Sequence, residues 1–158
     1  MLSKSETCEL LDNLRNSWPH DVIPKAKNIK VYEIEQDVRL LVADQTIAVQ
    51  VQNKILPFLG GQLETLKHFP FVTVDMGAVK FVCNGAKIMR PGISSFGSFK
   101  KGDIVVVNDL THGKALAIGI ALEESESAKM MAKGYVIDNI HYISDKMWEA
   151  YKEIRRCG

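Results

Sequence analysis

The chain has 158 residues, of which 46% are hydrophobic and 25% charged, and its formal net charge is +1 at pH 7. This composition is that of an ordinary globular protein and excludes a disordered, fibrous or polybasic chain. The length allows one domain or two small ones. Because the sequence has no long apolar run and no apolar segment at its start, it predicts a cytoplasmic protein without a membrane span or signal peptide.

The sequence offers no catalytic or metal-binding constellation. The three cysteines, Cys8, Cys83 and Cys157, are too scattered for a disulfide framework and predict free thiols in a reducing compartment. The four histidines lie far apart without the spacing of metal ligands, and no nucleophile or phosphate-binding motif occurs. We therefore predict that the protein is not an enzyme and has no catalytic residues, no metal site and no cofactor.

Residues 1–70 predict a small α/β domain. Ser3 and Glu6 have the spacing of a capping box, and an amphipathic helix is expected over residues 4–17. Three β-rich runs separated by short polar turns then predict an antiparallel meander, at Ile29–Glu35, Val38–Ala43 and Thr46–Gln52. Two short helical pieces are expected at Asn53–Phe58 and Leu63–Phe69. Pro70 marks the domain boundary, because proline interrupts strand pairing.

Residues 71–158 predict a second domain, in which many short strands and glycine or proline turns favour a small barrel or curled sheet. Five strands are predicted, at Phe71–Asp75, Ala86–Arg90, Ile104–Asn108, Lys114–Leu122 and Tyr135–Ile143. Three helices are predicted, at Gly77–Asn84, at Glu124–Lys133 and from Ser144 or Asp145 through Arg156. Gly85 is expected to end the first of these in a left-handed conformation. The predicted fold class is α+β.

Positive charge is concentrated in one segment of the second domain. Residues 1–70 carry eight Lys and Arg against nine Asp and Glu, and residues 71–158 carry twelve against ten. One stretch of 22 residues has five basic residues and no acidic one, namely Lys80, Lys87, Arg90, Lys100 and Lys101. Such a patch could neutralise phosphates, and Phe96 and Phe99 could stack on bases. Alternatively, the basic run is a solvated face and both rings are buried loop anchors.

Two segments of the same region resemble the opening of a PUA domain, the small pseudo-barrel found in pseudouridine synthases and archaeosine transglycosylases. They are Val74–Val82, with the sequence VDMGAVKFV, and Gly85–Ile93, with the sequence GAKIMRPGI. Three further segments are similar to the later strands of that domain, namely Gly102–Val107, Ala115–Gly119 and Lys133–Ile137. The matching motifs cover residues 71–143.

With the motifs at Asp138–Tyr142 and Asp145–Trp148, the whole chain is similar to the malignant T-cell-amplified-sequence family of translation factors and its archaeal relatives. In that family an N-terminal α/β domain precedes a C-terminal PUA domain, which implies domains at 1–70 and 71–158. The eukaryotic members are cytoplasmic, bind the small ribosomal subunit and act in re-initiation and recycling with a density-regulated partner that carries a SUI1-type domain. The resemblance implies the same partners here, with rRNA or tRNA, single-stranded or structured, as the RNA.

In PUA domains that bind RNA, the ligand lies against the first helix and the strand that follows its glycine. Together with the basic run, the matching positions give the predicted RNA-binding residues Gly77, Lys80, Gly85, Ala86, Lys87, Arg90, Pro91, Gly92, Lys100 and Lys101. Strand alternation places Lys87 and Arg90 on opposite faces, so the basic residues cannot all face one ligand. We rank Arg90 and Lys80 above Lys87.

Three functions follow from these observations. The leading hypothesis is a non-catalytic RNA-binding protein that works in initiation, re-initiation or recycling on the small ribosomal subunit or on tRNA. The second is a protein-interaction adaptor whose residues 1–70, which lack a basic patch, dock a SUI1-type partner. The third is an accessory to RNA modification, because PUA domains are commonly appended to such enzymes.

Overall fold

The computed structural model describes residues 3–25, 28–61 and 63–157, without the side chains of Leu63 and Cys157. The predicted free thiol of Cys157 therefore lies outside the described residues, whereas Cys8 and Cys83 are free. The chain divides into two compact units, one running to His68 and resuming at Lys146, the other spanning Phe69–Asp145. Within the described ranges, no helix has both the length and the apolarity needed to cross a membrane.

The first unit opens with helix α1, Lys4–Ser17, as the capping box predicts. The Ser3 hydroxyl accepts a hydrogen bond from the Glu6 amide, and the Glu6 carboxylate accepts one from the Ser3 amide. These side-chain and backbone hydrogen bonds of Ser3 lower the pKa of the Glu6 carboxyl group. The helix then buries Leu10 and Leu14 one turn apart, which anchors it in the core of this unit.

A four-stranded antiparallel sheet follows, in which each strand pairs with the next along the chain. Its strands are β1 (Lys30–Glu35), β2 (Val38–Ala43), β3 (Thr46–Val51) and β4 (Lys54–Pro57). The predicted meander is confirmed, but the helix predicted at Asn53–Phe58 is wrong. This segment pairs with β3 from Val51 opposite Lys54, and a strand of only four residues carries too little periodicity to be recognised from the sequence. Helix α2, Leu63–Lys67, lies where the second short helix is predicted.

The last helix, α5 (Lys146–Cys157), completes the first unit. The ring centroids of Trp148 and Tyr151 lie 6.0 and 4.8 Å from that of Phe58, which follows β4 and is 2% exposed. The sequence division assigns residues 146–158 to the second domain. The structure groups this helix with the first unit instead, because its aromatic face packs on Phe58.

The second unit is a nearly closed pseudo-barrel of six strands in the order β6-β10-β9-β8-β5-β7. The strands are β5 (Phe71–Val74), β6 (Ile88–Met89), β7 (Ile93–Phe96), β8 (Ile104–Asp109), β9 (Ala115–Ala121) and β10 (Tyr135–Tyr142). The helices are α3 (Met76–Val82) and α4 (Ser125–Met130). Strands β5 and β8 run parallel, and Val72, Val105, Val107 and Ile137 lie in the core. The predicted α+β fold with a pseudo-barrel is confirmed.

Strand β7 is not predicted from the sequence, which places a loop there. It pairs with β5, and Gly97 then approaches that strand so closely that a Cβ atom would lie 2.8 Å from the carbonyl oxygen of Phe71. Phe99 is 4% exposed, which confirms for this ring the alternative of a buried loop anchor over a base-stacking surface. Phe96 is half-buried, with its ring centroid 6.4 Å from that of Phe99.

Candidate nucleic-acid interface

A groove of about 460 Å³ opens on the surface of the second unit, between α3 and the segment that leads through β6. Most of its lining is small or apolar, namely Gly77, Ala78, Phe81, Val82, Ala86, Ile88, Met89, Pro91 and Gly92. Its charged members are Asp75 and Lys87. Phe81 and Met89 expose 63% and 47% of their surfaces, so the groove presents apolar side chains to solvent.

One wall of the groove is held in place by the N-cap of α3. Asp75 Oδ1 accepts a hydrogen bond from the Ala78 amide at 3.0 Å, as capping side chains do. The Asp75 amide donates to the carbonyl oxygen of Gly92 at 2.9 Å, which joins the start of the helix to the opposite side of the groove. A Cβ atom at Gly92 would lie 3.0 Å from the Ala78 Cβ, so glycine permits this close approach.

The turn between α3 and β6 is held in place by two residues of β10, Tyr142 and Asn139. Gly85 has a φ of +89°, which confirms the predicted left-handed end of the helix, and a Cβ there would lie 3.0 Å from the Tyr142 ring. Asn139 on β10 donates through Nδ2 to the carbonyl oxygens of Val82 and Ala86, both at 3.0 Å. Because Val82 and Ala86 both line the groove, Asn139 holds its two walls together at this end.

Five of the ten predicted RNA-binding residues line the groove, namely Gly77, Ala86, Lys87, Pro91 and Gly92. Gly85 shapes the turn beside them. The other basic residues are outside the lining: Lys80 is exposed on α3, and Lys100 and Lys101 are exposed in the loop between β7 and β8. The groove is therefore lined by most of the predicted glycine and proline positions but by only one of the five basic side chains.

Arg90 is occupied by contacts outside the groove lining. Its Nη1 donates to the carbonyl oxygen of Ile93 at 3.2 Å, and its guanidinium carbon lies 5.0 Å from the centroid of the Phe96 ring. These contacts fix the segment between β6 and β7. The sequence ranks Arg90 and Lys80 above Lys87, whereas Lys87 is the one of the three that lines the groove.

Exposed apolar side chains are the part of this surface that sequence reasoning misses. Phe81 lines the groove, and Tyr135 is 54% exposed with the Lys87 ammonium 5.4 Å from its ring centroid. The helical period offers a signal for Phe81, because Val82 is buried and successive residues of a helix point in different directions. No local signal exists for Tyr135, since its neighbour Lys87 lies 48 residues earlier.

Two titratable groups near the core of this unit, Cys83 and Asp109, have shifted pKa values. Cys83 is half-buried, and burial raises the pKa of its thiol although the charge of Lys114 lowers it, so the thiol is neutral at pH 7. Asp109 is 4% exposed, and burial alone would raise its pKa. Hydrogen bonds from Lys114 and His112 outweigh that effect and lower the pKa of Asp109. Neither group lines the groove.

The pseudo-barrel with its glycine-lined groove defines a PUA domain, and the family profile of that domain matches residues 70–143. Translation machinery-associated protein 20 of Saccharomyces cerevisiae is 35% identical over 136 residues, which cover 81% of this chain and 75% of that protein. Malignant T-cell-amplified sequence 1 of Rattus norvegicus is 31% identical over 139 residues, covering 83% and 75%. The chain therefore belongs to the malignant T-cell-amplified-sequence family of PUA-domain proteins, as its motifs predict.

Solved structures agree with this assignment. A hypothetical protein of the archaeon Pyrococcus horikoshii OT3 matches with a TM-score of 0.78 and 30% identity, covering 94% of this chain and 96% of that one. A chain of an H/ACA ribonucleoprotein bound to a substrate RNA matches with a TM-score of 0.50 and 26% identity, covering 62% of this chain and 30% of that one. The first similarity extends over both units, and the second is partial.

Proposed function

We propose that the chain is a non-catalytic RNA-binding protein of the cytoplasmic translation apparatus, and that the groove beside α3 holds its RNA. The observation that carries this proposal is that the groove coincides with the PUA motif and that Lys87 of the acid-free basic run lies in its lining. The name of the yeast relative supports the link to translation, and the H/ACA similarity supports RNA as the ligand. We infer rRNA of the small ribosomal subunit or tRNA as the target.

The lining of the groove favours unpaired nucleotides over a regular duplex. Gly77 and Gly92 carry no side chain and admit a close approach, while Phe81 and Met89 offer apolar surface to the face of a base. In a duplex these faces are already stacked, which is why proteins read single-stranded segments in this way. Lys87 is the cation available in the lining for a phosphate.

This proposal predicts that Lys87→Glu weakens RNA binding about tenfold and lowers the salt slope by about one, because one phosphate contact is lost. The measurement is fluorescence anisotropy of the full chain with labelled single-stranded and duplex RNA at roughly 50 and 200 mM salt. Lys67→Glu, at an exposed lysine of α2 in the first unit, is the matched control and should bind as the unchanged chain does. Equal affinities of the two variants would contradict the site, and no binding of any RNA would contradict the function.

A second proposal concerns the SUI1-type partner, which we infer to dock on the first unit. A cleft of about 460 Å³ there favours it, since its lining combines the apolar Leu11, Ile23 and Pro24 with the cationic Arg15 and Lys25 and with His20. We expect Lys25→Glu to reduce capture of a SUI1-domain factor from a nuclease-treated extract, with Lys54→Glu on β4 as the control. Capture that is unaffected by Lys25→Glu would contradict docking at this cleft.

A further inference from the structure

Tyr135 lies directly beside the groove although it is outside the lining. It is the first residue of β10, and its Cα atom is paired with that of Met89 on β6. Paired residues of antiparallel strands project to the same face, and neighbouring strands lie about 4.8 Å apart. The exposed ring of Tyr135 is therefore one strand away from Met89, which lines the groove.

Lys87 connects the groove to this ring. It lines the groove, and its ammonium lies 5.4 Å from the centroid of the Tyr135 ring, within the range of a cation–π contact. Lys87 therefore carries a positive charge that adjoins two surfaces suited to the faces of bases, the apolar groove that it lines and the Tyr135 ring that its ammonium overlies. Consecutive nucleotides have a comparable arrangement, since a phosphate links the riboses that carry two successive bases.

We propose that Tyr135 is a stacking platform for the nucleotide next to the one held in the groove, with Lys87 at the phosphate that joins them. This rests on the proposed function and specifies its ligand as at least two consecutive unpaired nucleotides. The first base packs against Phe81 and Met89, the RNA strand passes Lys87 just ahead of β6, and the second base lies on Tyr135. Stacking of this kind tolerates any base, because every base has a π-face.

The test uses the full chain and single-stranded tetranucleotides that carry the fluorescent base 2-aminopurine at each position in turn. At saturating protein, two adjacent positions should be quenched, one by the groove and one by Tyr135. Tyr135→Ala should restore fluorescence at one of them, retain quenching at the other and weaken affinity about tenfold. Tyr135→Phe keeps the ring and should retain both. Leu110→Ala, at another exposed apolar residue of the unit, should change neither.

The possible failures are distinguishable. If Tyr135→Ala leaves both positions quenched, or releases both equally at saturation, the platform is wrong while RNA binding in the groove stands. If the unchanged chain binds none of the tetranucleotides, the platform fails together with the proposed function, and an apolar protein segment becomes the better occupant of the groove. A loss of affinity in Tyr135→Phe as large as that in Tyr135→Ala would also overturn stacking, because both variants lack the hydroxyl group but only one lacks the ring.

Discussion

Replacing Gly77 with tryptophan is expected to weaken binding of single-stranded RNA at least about tenfold while the protein stays folded. Gly77 lines the groove from α3, and a Cβ atom there would meet only the Asp75 carboxylate, at an ordinary distance of 3.4 Å. The backbone therefore accepts a side chain at this position. A large side chain extends into the groove and takes the space of the ligand.

Gly77→Ala is the matched control, since it changes the same helical position but adds only one methyl group. Alanine favours a helix over glycine by about 1 kcal/mol, so this variant should melt at a slightly higher temperature and keep its affinity. Circular dichroism during heating and anisotropy with RNA separate the two effects. If Gly77→Trp binds RNA as tightly as Gly77→Ala does, the groove is not the binding site.

The second large effect is expected from Gly119→Ala, which should lower the free energy of unfolding by about 3 kcal/mol. Gly119 lies on β9 against β10, and a Cβ atom would lie 2.2 Å from the carbonyl oxygen of Asp138 and 2.7 Å from Ile137 Cγ2. A backbone oxygen cannot rotate away as a side chain can. Strand β10 must therefore move or the barrel must open.

The same substitution should weaken RNA binding, because Asn139 follows Asp138 and holds Val82 and Ala86 through its side-chain amide. Urea unfolding measures the stability, and anisotropy at low temperature measures the binding of the fraction that remains folded. Ala115→Gly on the same strand serves as the comparison and should cost no more than about 1 kcal/mol. A Gly119→Ala protein as stable as that comparison would refute the close packing of β9 against β10.

The elements that the sequence predicts well are those with local causes. Helix α1 begins at its capping box, and the meander follows from alternating strands and short turns. Strand β7 is different, because it exists through pairing with β5, which lies 19 to 24 residues earlier at the paired positions. A four-residue strand without visible alternation carries no signal of its own, so its identity depends on a partner that only the folded chain supplies.

The candidate site shows the same division. Glycine positions and motif similarity locate the turn at residues 85–92, because the conformational requirement that a glycine meets lies at its own position in the chain. The direction of each basic side chain is decided elsewhere: Arg90 packs on Phe96, which belongs to the unpredicted strand. Tyr135 comes next to Lys87 only through the pairing of β6 with β10. Charge alone therefore predicts the segment but not the residue that lines the groove.

The place of α5 in the fold has a consequence for how the protein is made. A ribosome releases the chain from its N-terminal end, so the whole second unit emerges before Trp148 and Tyr151 can reach Phe58. Until then the nascent first unit lacks the ring contacts that Trp148 and Tyr151 make with Phe58, and an apolar core that is incomplete in this way is the kind of surface that chaperones bind. Synthesis of the first unit thus begins before that of the second and ends after it. The aromatic packing of the first unit is complete only when translation has passed residue 151.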